Sequence, residues 1–245
     1  MLRSGDAVAR APAPASIPPP SLLAAIAIQT TLVREPLRRR LARARLDAAP
    51  RGAGEPVLVL PGMGVGDLST LTLRRYLRRR GFDARGWRLG RHRPEVPRTL
   101  LRALPRLEAF AAESGRAVAL VGWSLGGLVA RELARLRPDL VRRVITLGTP
   151  VVGGFKPTAI AGLFRLQGWD LDEVERLLAE AERTPLRVPV TAIWSRRDGI
   201  VAWPACVERA TPGAENLEAT SCHWGLGLDP DVLVALAERL RDAAG

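Results

Sequence analysis

Short, unbroken apolar runs recur along the chain, and segments with apolar residues at helical spacing separate them. Apolar runs of strand length without polar alternation are typical of parallel strands that are buried on both faces of a sheet. The predicted strands are residues 56–60, 82–89, 117–121, 141–147, 188–194 and 216–220, the last as a short edge strand. Predicted helices lie between them and end at Arg80, Ser114 and Pro138. This alternation predicts an α/β domain with a mostly parallel central sheet and helices on both faces.

The first 50 residues do not follow this alternation. Residues 1–20 are rich in Ala and Pro, which predicts a disordered or extended tail. Residues 21–33 are mostly apolar and arginines with spaced leucines follow directly, so residues 21–50 are predicted to form an apolar and then basic helical extension. Two interpretations stay open at this point. The extension packs on the domain, or it docks peripherally on an anionic membrane.

The apolar part of this extension is too short to span a bilayer as a helix. Prolines precede it and arginines follow it without a small-residue cleavage site, so it does not resemble a signal peptide. We therefore expect a cytoplasmic protein, with or without peripheral contact to a membrane.

A second interruption lies at residues 151–186, after the predicted strand 141–147. It contains two adjacent glycines, an apolar patch and a predicted helix at residues 170–183. We expect these residues to form a small helical cap, inserted in a domain of residues 51–245, whose apolar side chains line a pocket. A helix that simply packs on the domain is the alternative.

Composition and charge restrict the function less than the pattern does. The chain has 245 residues, 47% of them hydrophobic, which suits one domain with a sizeable core. The net charge is +12; residues 34–51 and 74–102 together carry +14, and the rest of the chain carries −2. A basic surface suits nucleic acid or anionic lipid. Because no signature of a nucleic-acid-binding fold accompanies the arginines, we expect no nucleic-acid partner, and solvated helix faces are the simpler explanation.

The two cysteines, Cys206 and Cys222, do not form a disulfide framework or have the spacing of a metal cluster. We expect no metal and no cofactor. A bridge between them would close the segment that links two candidate catalytic residues. A cytosolic protein would keep both thiols reduced, which is the interpretation that we favour.

The chemistry centres on Ser124. An apolar strand, residues 117–121, is followed by Gly122-x-Ser124-x-Gly126 and then by apolar residues at helical spacing. This predicts a sharp strand-to-helix turn that holds the serine hydroxyl at a helix N-terminus, where glycines on both sides avoid a clash. The N–H of Leu125 would stabilise an oxyanion, and Met63, in the glycine-rich loop 61–66, would supply the second N–H. That loop has neither Gly-Lys-Ser/Thr nor GxGxxG spacing, so a phosphate site is disfavoured.

Two further polar residues follow predicted strands at the same rim of the sheet. Asp198 comes after strand 188–194, and His223 comes after strand 216–220. The only other histidine, His92, lies among arginines and is predicted to be solvated. The order Ser124, Asp198, His223 predicts a nucleophile, an acid that orients the base, and a base.

Five segments resemble the α/β-hydrolase superfamily, and in particular its bacterial lipases and esterases. They are LVLPGMG at the oxyanion loop, GWSLGG at the nucleophile, ITLGTP, SRRDGIV at the acid and SCHWGLG at the base. Many relatives have His-Gly where this chain has Pro61-Gly62. The resemblance covers roughly residues 56–240 and implies the α/β-hydrolase fold.

The resemblance and the three candidate residues together predict a serine hydrolase that cleaves carboxylic esters through an acyl-enzyme. An acyltransferase or thioesterase with the same acyl-enzyme is the nearest alternative, and a non-catalytic interaction protein on the same fold is an alternative of another class. The residues predicted to line the substrate pocket are Trp123, Phe155, Leu163, Phe164 and Trp224.

Overall fold

The computed structural model describes residues 2–4 and 17–241. The strands are β1 Arg3–Ser4, β2 Pro56–Leu60, β3 Asp83–Gly86, β4 Val118–Trp123, β5 Val141–Leu147, β6 Val190–Ser195 and β7 Glu215–Ala219. The helices are α1 Leu22–Gln29, α2 Glu35–Leu41, α3 Arg43–Ala48, α4 Leu71–Arg79, α5 Val96–Ser114, α6 Leu125–Leu136, α7 Ala161–Leu166, α8 Leu171–Glu182 and α9 Pro230–Leu240. Short 3-10 helices span Thr30–Arg34, Trp203–Cys206 and His223–Gly225.

The strands form one sheet in the order β1-β7-β6-β5-β4-β2-β3. Strands β2 to β7 pair in parallel, and β1 pairs antiparallel with β7. Alternate residues of β2 enter two different hydrophobic clusters, with Val57 and Val59 in one and Leu58 and Leu60 in the other. Helices therefore cover both faces of the sheet, and the predicted α/β architecture is confirmed.

Two details at the sheet margins differ from the prediction. Strand β7 is not the edge, because Arg3 pairs with Glu218 and Ser4 pairs with Leu217. The unpaired N–H and C=O groups of an outer strand readily accept an extended segment. Part of the tail that is predicted to be disordered or extended thus forms a strand, whereas residues 1 and 5–16 lie outside the described residues.

Strand β3 ends earlier than predicted because an aspartate side chain accepts hydrogen bonds from the backbone that follows the strand. The carboxylate of Asp67 accepts the Trp87 N–H at 3.1 Å and the Arg88 N–H at 3.1 Å. Arg88 has φ 59°, a left-handed conformation that turns the chain out of the sheet. Residues 87–89 belong to a loop as a result.

The order of the strands fixes where a site can form. Chain progression runs outward from β2 to β3 on one side and from β4 to β5 on the other. Such a reversal leaves a crevice at the carboxyl ends of the two central strands. Residues 61–66 follow β2 and Ser124 follows β4, so both predicted oxyanion segments leave the sheet side by side.

The N-terminal extension, residues 21–50, packs on the domain. Leu46 and Ala49 enter the hydrophobic core, and the Tyr76 hydroxyl donates to the Leu46 carbonyl at 3.3 Å. The guanidinium of Arg80 donates to the Asp47 carbonyl at 2.9 Å. Within the described residues, no helix is both long enough and apolar enough to cross a bilayer.

The segment of residues 151–186, which we call the cap segment, contains α7 and α8. Asp170 caps α8 by accepting the Asp172 and Glu173 N–H groups, each at 3.0 Å. An isolated antiparallel bridge joins Thr158 to Val201. The cap segment is thereby tied to the loop that carries Asp198.

Candidate active site

Ser124 occupies a strained turn between β4 and α6. Its φ of 54° and ψ of −121° lie outside the regions that side chains ordinarily adopt. A Cβ at Gly122 would lie 2.4 Å from the Gly126 carbonyl oxygen, and a Cβ at Gly126 would lie 2.4 Å from the Leu60 carbonyl oxygen. The two flanking glycines are therefore needed to let helix and strands approach, as the sequence pattern indicates.

Thr149 also supports the turn at Ser124, and the sequence pattern does not indicate this contact. The Thr149 hydroxyl donates to the Ser124 carbonyl at 2.9 Å, and a Cβ at Gly127 would lie 2.0 Å from that hydroxyl oxygen. The Ser124 N–H donates to the Leu147 carbonyl at 2.8 Å. The backbone of the predicted nucleophile is thus hydrogen-bonded on both sides.

Asp198 and His223 meet as the order of strands predicts. The imidazole Nδ1 lies 2.7 Å from Asp198 Oδ2, and both side chains are buried. The His223 N–H also donates to the Asp198 carbonyl at 2.9 Å. The other carboxylate oxygen, Oδ1, accepts the Ile200 N–H at 3.0 Å and the Val201 N–H at 2.7 Å. Backbone donors therefore fix the carboxylate that orients the ring.

This contact determines which ring nitrogen of His223 is free. An ionised carboxylate only accepts hydrogen bonds, so Nδ1 carries the proton and Nε2 keeps a lone pair. A lone pair on Nε2 is what a general base requires. The Trp123 indole N–H donates to the His223 carbonyl at 3.2 Å and further holds the loop.

A cavity of about 440 Å³ contains both Ser124 and His223. Its other lining residues are Leu32, Gly62, Met63, Val65, Ser69, Trp123, Ile160, Ile200 and Trp224. We call it the catalytic cavity. Apart from His223 it has no ionisable lining side chain in the described part of the chain.

The two predicted oxyanion segments adjoin Ser124. A Cβ at Gly62 would lie 3.5 Å from the Ser124 Cβ, and both Gly62 and Met63 line the catalytic cavity. Leu125 is the first residue of α6, where N–H groups have no acceptor within the helix. The loop and the helix N-terminus can therefore present N–H groups to one substrate oxygen.

His92 is buried, not solvated as predicted. Its exposed fraction is 1%, and its ring packs on Trp87 with centroids 4.4 Å apart. Its Nδ1 lies 2.7 Å from the Pro61 carbonyl oxygen. The His92 N–H donates to the Val65 carbonyl and the His92 carbonyl accepts the Gly64 N–H, each at 2.8 Å. The flanking arginines suggest a solvent-exposed loop, but the imidazole of His92 points inward and supports the predicted oxyanion loop, residues 61–66.

Acid should weaken this support. Burial lowers the pKa of His92 below its ordinary value of 6.5, against a smaller opposing effect of the bond to Pro61. Because Nε2 is buried without a hydrogen-bond partner, a proton there would place a charge in apolar surroundings. A depressed histidine pKa contributes stability that is present above pH about 6.5 and is lost as pH falls below that value.

We expect wild type to lose more thermal stability than His92→Gln as pH falls from about 7 to about 5. Glutamine does not titrate, and its amide can still donate to Pro61. Thermal unfolding followed by circular dichroism measures both slopes. Parallel slopes for the two proteins would contradict the assignment of the acid sensitivity to His92.

The predicted pocket residues separate into two groups. Trp123 and Trp224 line the catalytic cavity. Phe155 and Phe164 instead stack on each other with centroids 4.4 Å apart and pack in a cluster with Leu125 and Leu128. Leu163 is half exposed. The prediction placed all five in one pocket, but the rings gain more contact by packing together between cap segment and domain.

Gln29, in the N-terminal extension, contacts the loops that carry Asp198 and His223, and no sequence signal pointed to it. Its side-chain Nε2 donates to the Asp198 carbonyl at 2.8 Å, and its Oε1 accepts the Trp224 N–H at 3.1 Å. The side chain is buried, and a Cβ at Gly199 would lie 2.2 Å from Ile28 Cγ2. The extension therefore closes tightly over the acid loop.

A buried ionic network joins the same extension to the histidine loop. Arg38 contacts Glu35 at 2.8 Å and Asp229 at 3.1 Å, and it donates to the Ser221 hydroxyl at 2.8 Å. The Ser221 hydroxyl donates to Glu35 at 2.9 Å. One guanidinium thus compensates two buried carboxylates next to His223.

Cys206 and Cys222 are both buried and unbridged. Burial raises the pKa of the Cys206 thiol well above its ordinary value, and the nearby Asp198 charge adds to the effect. A thiol that stays protonated is a poor nucleophile. No group of three or more His, Cys, Asp and Glu side chains among the described residues could hold a metal ion.

Comparisons of the sequence with known proteins give little information about function. No protein-family profile matches the chain. The polyketide synthase ThaQ of Burkholderia thailandensis is 32% identical over 122 residues, which is 47% of this chain and 6% of that protein. The chain therefore spans only a small part of this curated relative.

Comparisons of the structure are more informative. The mature lipase BlEst2 of Bacillus licheniformis matches with a TM-score of 0.59 at 17% identity, over 79% of this chain and 94% of that one. A lipase-esterase related protein of Clostridium acetobutylicum gives 0.58 at 14% identity, over 78% and 97%. A monoacylglycerol lipase of Paleococcus ferrophilus gives 0.53 at 18%, over 76% and 95%.

These neighbours resemble the chain in structure at 14% to 18% sequence identity. At such low identity they establish the fold and leave the activity to the chemistry of the residues. The chain has the α/β-hydrolase fold, and the solved structures that it resembles are lipases and esterases.

Proposed function

We propose that the protein is a serine hydrolase of carboxylic esters that works through an acyl-enzyme. One observation carries the proposal. The imidazole of His223 is held by the buried carboxylate of Asp198 and lines the same cavity as Ser124, which itself sits in a strained turn. A buried carboxylate, an oriented imidazole and a hydroxyl that lines the same cavity at a helix N-terminus are the parts of a nucleophilic triad.

In the proposed reaction the Ser124 Oγ attacks the ester carbonyl carbon while His223 Nε2 takes the hydroxyl proton. The oxyanion that forms would accept hydrogen bonds from the N–H groups of Leu125 and Met63. His223 then protonates the departing alkoxide, which leaves as an alcohol. A water molecule, deprotonated by His223, attacks the acyl carbon of the acyl-enzyme. The bond to Ser124 Oγ then breaks, His223 returns the proton to that oxygen, and the carboxylic acid leaves. Asp198 stabilises the imidazolium in both steps.

The lining of the catalytic cavity favours a neutral, moderately apolar ester. Aliphatic and indole side chains surround Ser124, and a volume of about 440 Å³ accommodates a short or medium acyl group. A charged substrate would find no ion-pairing partner among the described lining residues other than His223. The reaction as proposed uses no metal and no cofactor.

Hydrolysis of p-nitrophenyl esters of graded acyl length tests the proposal. We expect turnover by wild type that peaks at short or medium chains, and covalent labelling by a fluorophosphonate probe that Ser124→Ala abolishes. Matched oxyester and thioester substrates, with and without an alcohol acceptor, distinguish a hydrolase from a thioesterase or an acyltransferase. Absence of both turnover and labelling would leave a non-catalytic protein on this fold.

A further inference from the structure

Residues 22–41 of the N-terminal extension bury polar side chains and expose large apolar ones, the reverse of the usual arrangement in water. Its inward face carries Ala25, Gln29 and Glu35, each no more than 6% exposed. Its outward face carries large apolar side chains that are 60% to 82% exposed, namely Leu23, Ile26, Val33, Leu37 and Leu41. Helices on a soluble protein usually bury the apolar face and expose the polar one.

The exposed side chains share one face because of their spacing. Helix α1, the 3-10 helix Thr30–Arg34 and helix α2 follow one another without a break. Along this run the exposed apolar residues recur three, four or seven positions apart, which is the spacing of neighbours on one helical face. We call the set Leu23, Ile26, Val33, Leu37 and Leu41 the apolar ridge.

The apolar ridge adjoins the mouth of the catalytic cavity. Leu32, beside Val33 of the ridge, lines that cavity. Two other lining residues, Val65 and Trp224, have 43% and 56% of their surface exposed, and Leu68 nearby is 85% exposed. Exposed apolar surface of this extent at a site mouth marks a docking face and not ordinary surface.

A strongly basic depression borders the ridge on α2 and α3. Six arginines and one acid line it, together with Pro36, Leu46 and Tyr76: Arg39, Arg40, Arg43, Arg51, Arg79, Arg80 and Asp47. Two copies that met through their ridges would bring these positive surfaces together, which disfavours a dimer. Anionic lipid headgroups complement them, and acyl chains complement the ridge.

We infer that the apolar ridge and its arginine border dock the protein on an anionic lipid bilayer, with the catalytic cavity opening toward the lipid. The occupant is a bilayer because one stretch of chain, residues 23–43, carries the exposed apolar side chains, arginines of the basic depression and a lining residue of the catalytic cavity. Docking would bring apolar esters to Ser124 without transfer through water. This inference goes beyond the proposed esterase activity, and binding is measurable without it.

Co-sedimentation of the full chain with vesicles tests the inference. The protein carries Ser124→Ala so that lipid is not consumed, and vesicles contain phosphatidylcholine alone or with phosphatidylglycerol. We expect binding to the anionic vesicles that weakens with salt. Leu37→Ser should reduce the affinity about tenfold, since it removes one buried leucine from the contact. Arg40→Gln should reduce it about fivefold.

The matched control is Leu101→Ser, which removes an exposed leucine from α5, away from the ridge; Leu101 is 78% exposed and Leu37 is 60% exposed. It should bind vesicles like its parent. With Ser124 intact, Leu37→Ser should hydrolyse a soluble short-chain ester as wild type does, which shows that the fold is kept. Binding with no ester hydrolysis by wild type would overturn the proposed function alone.

Absence of binding to anionic vesicles would overturn the inference. So would the finding that Leu37→Ser and Leu101→Ser change the binding to the same extent. Light scattering of the protein without lipid measures its oligomeric state. A dimer that Leu37→Ser dissociates would identify a second copy as the occupant and would also overturn it.

Discussion

Replacing Ser124 with alanine is expected to lower kcat for ester hydrolysis by about 10⁴- to 10⁶-fold, and adding His223→Ala to the same chain should remove almost nothing more. Both substitutions abolish the same event, because the hydroxyl is reactive only while the imidazole takes its proton. Residual turnover in either variant would come from substrate binding and the oxyanion donors. Steady-state kinetics of the two single variants and the double variant measures the effect.

Ser69→Ala is the matched control for this cycle. Ser69 lines the same cavity, but its hydroxyl donates to the Gly66 carbonyl at 2.8 Å. We expect less than about a tenfold change in kcat, since only one neutral hydrogen bond is lost. If losses in Ser124→Ala and His223→Ala multiplied in the double variant, the two residues would act independently and the proposed mechanism would be wrong.

Gln29→Ala is expected to lower kcat by about ten- to a hundredfold and the free energy of unfolding by about 2 kcal/mol. The amide joins the Asp198 carbonyl to the Trp224 N–H, and its removal takes this partner from both groups. The acid and base loops would then lose a shared support. KM should change little, because Gln29 does not line the catalytic cavity.

Two companion variants separate positioning from stability. Gln29→Glu keeps an acceptor for Trp224 but, when ionised, cannot donate to Asp198. We expect its pH profile of kcat/KM to shift, because the contact between Asp198 and His223 sets the basicity of the imidazole. Gln167→Ala, a glutamine exposed on the cap segment, should match wild type. If Gln29→Ala lowered the free energy of unfolding but left kcat unchanged, Gln29 would be a packing residue and not a positioning residue.

The place of Gln29 changes how the N-terminal extension is understood. Its inward polar side chains hold the acid and histidine loops, and its outward apolar side chains form the ridge. One segment therefore links the proposed active site to the proposed membrane surface. Domain packing and membrane docking are alternatives at the level of the sequence, whereas in the structure one face of these helices packs on the domain and the other is free for the proposed docking.

The sequence alone determined the features that depend on short windows of chain. Buried parallel strands appear as unbroken apolar runs, and the turn at Ser124 demands glycine at positions 122 and 126 for reasons that are local. The order of strands then placed Asp198 and His223 at one rim, and their contact of 2.7 Å is observed. Fold class and the three polar residues followed from local pattern and chain order.

Only the tertiary structure decided which distant residues surround them. Gln29 lies 169 positions from Asp198, and nothing in its local sequence distinguishes it from a surface glutamine. His92 looked solvated among arginines, yet it packs on Trp87 and holds Pro61. The spacing of apolar residues along the sequence indicates which face of a helix or strand is apolar. Which element covers that face depends on the simultaneous packing of the whole chain, and so do the burial of His92 and the position of Gln29.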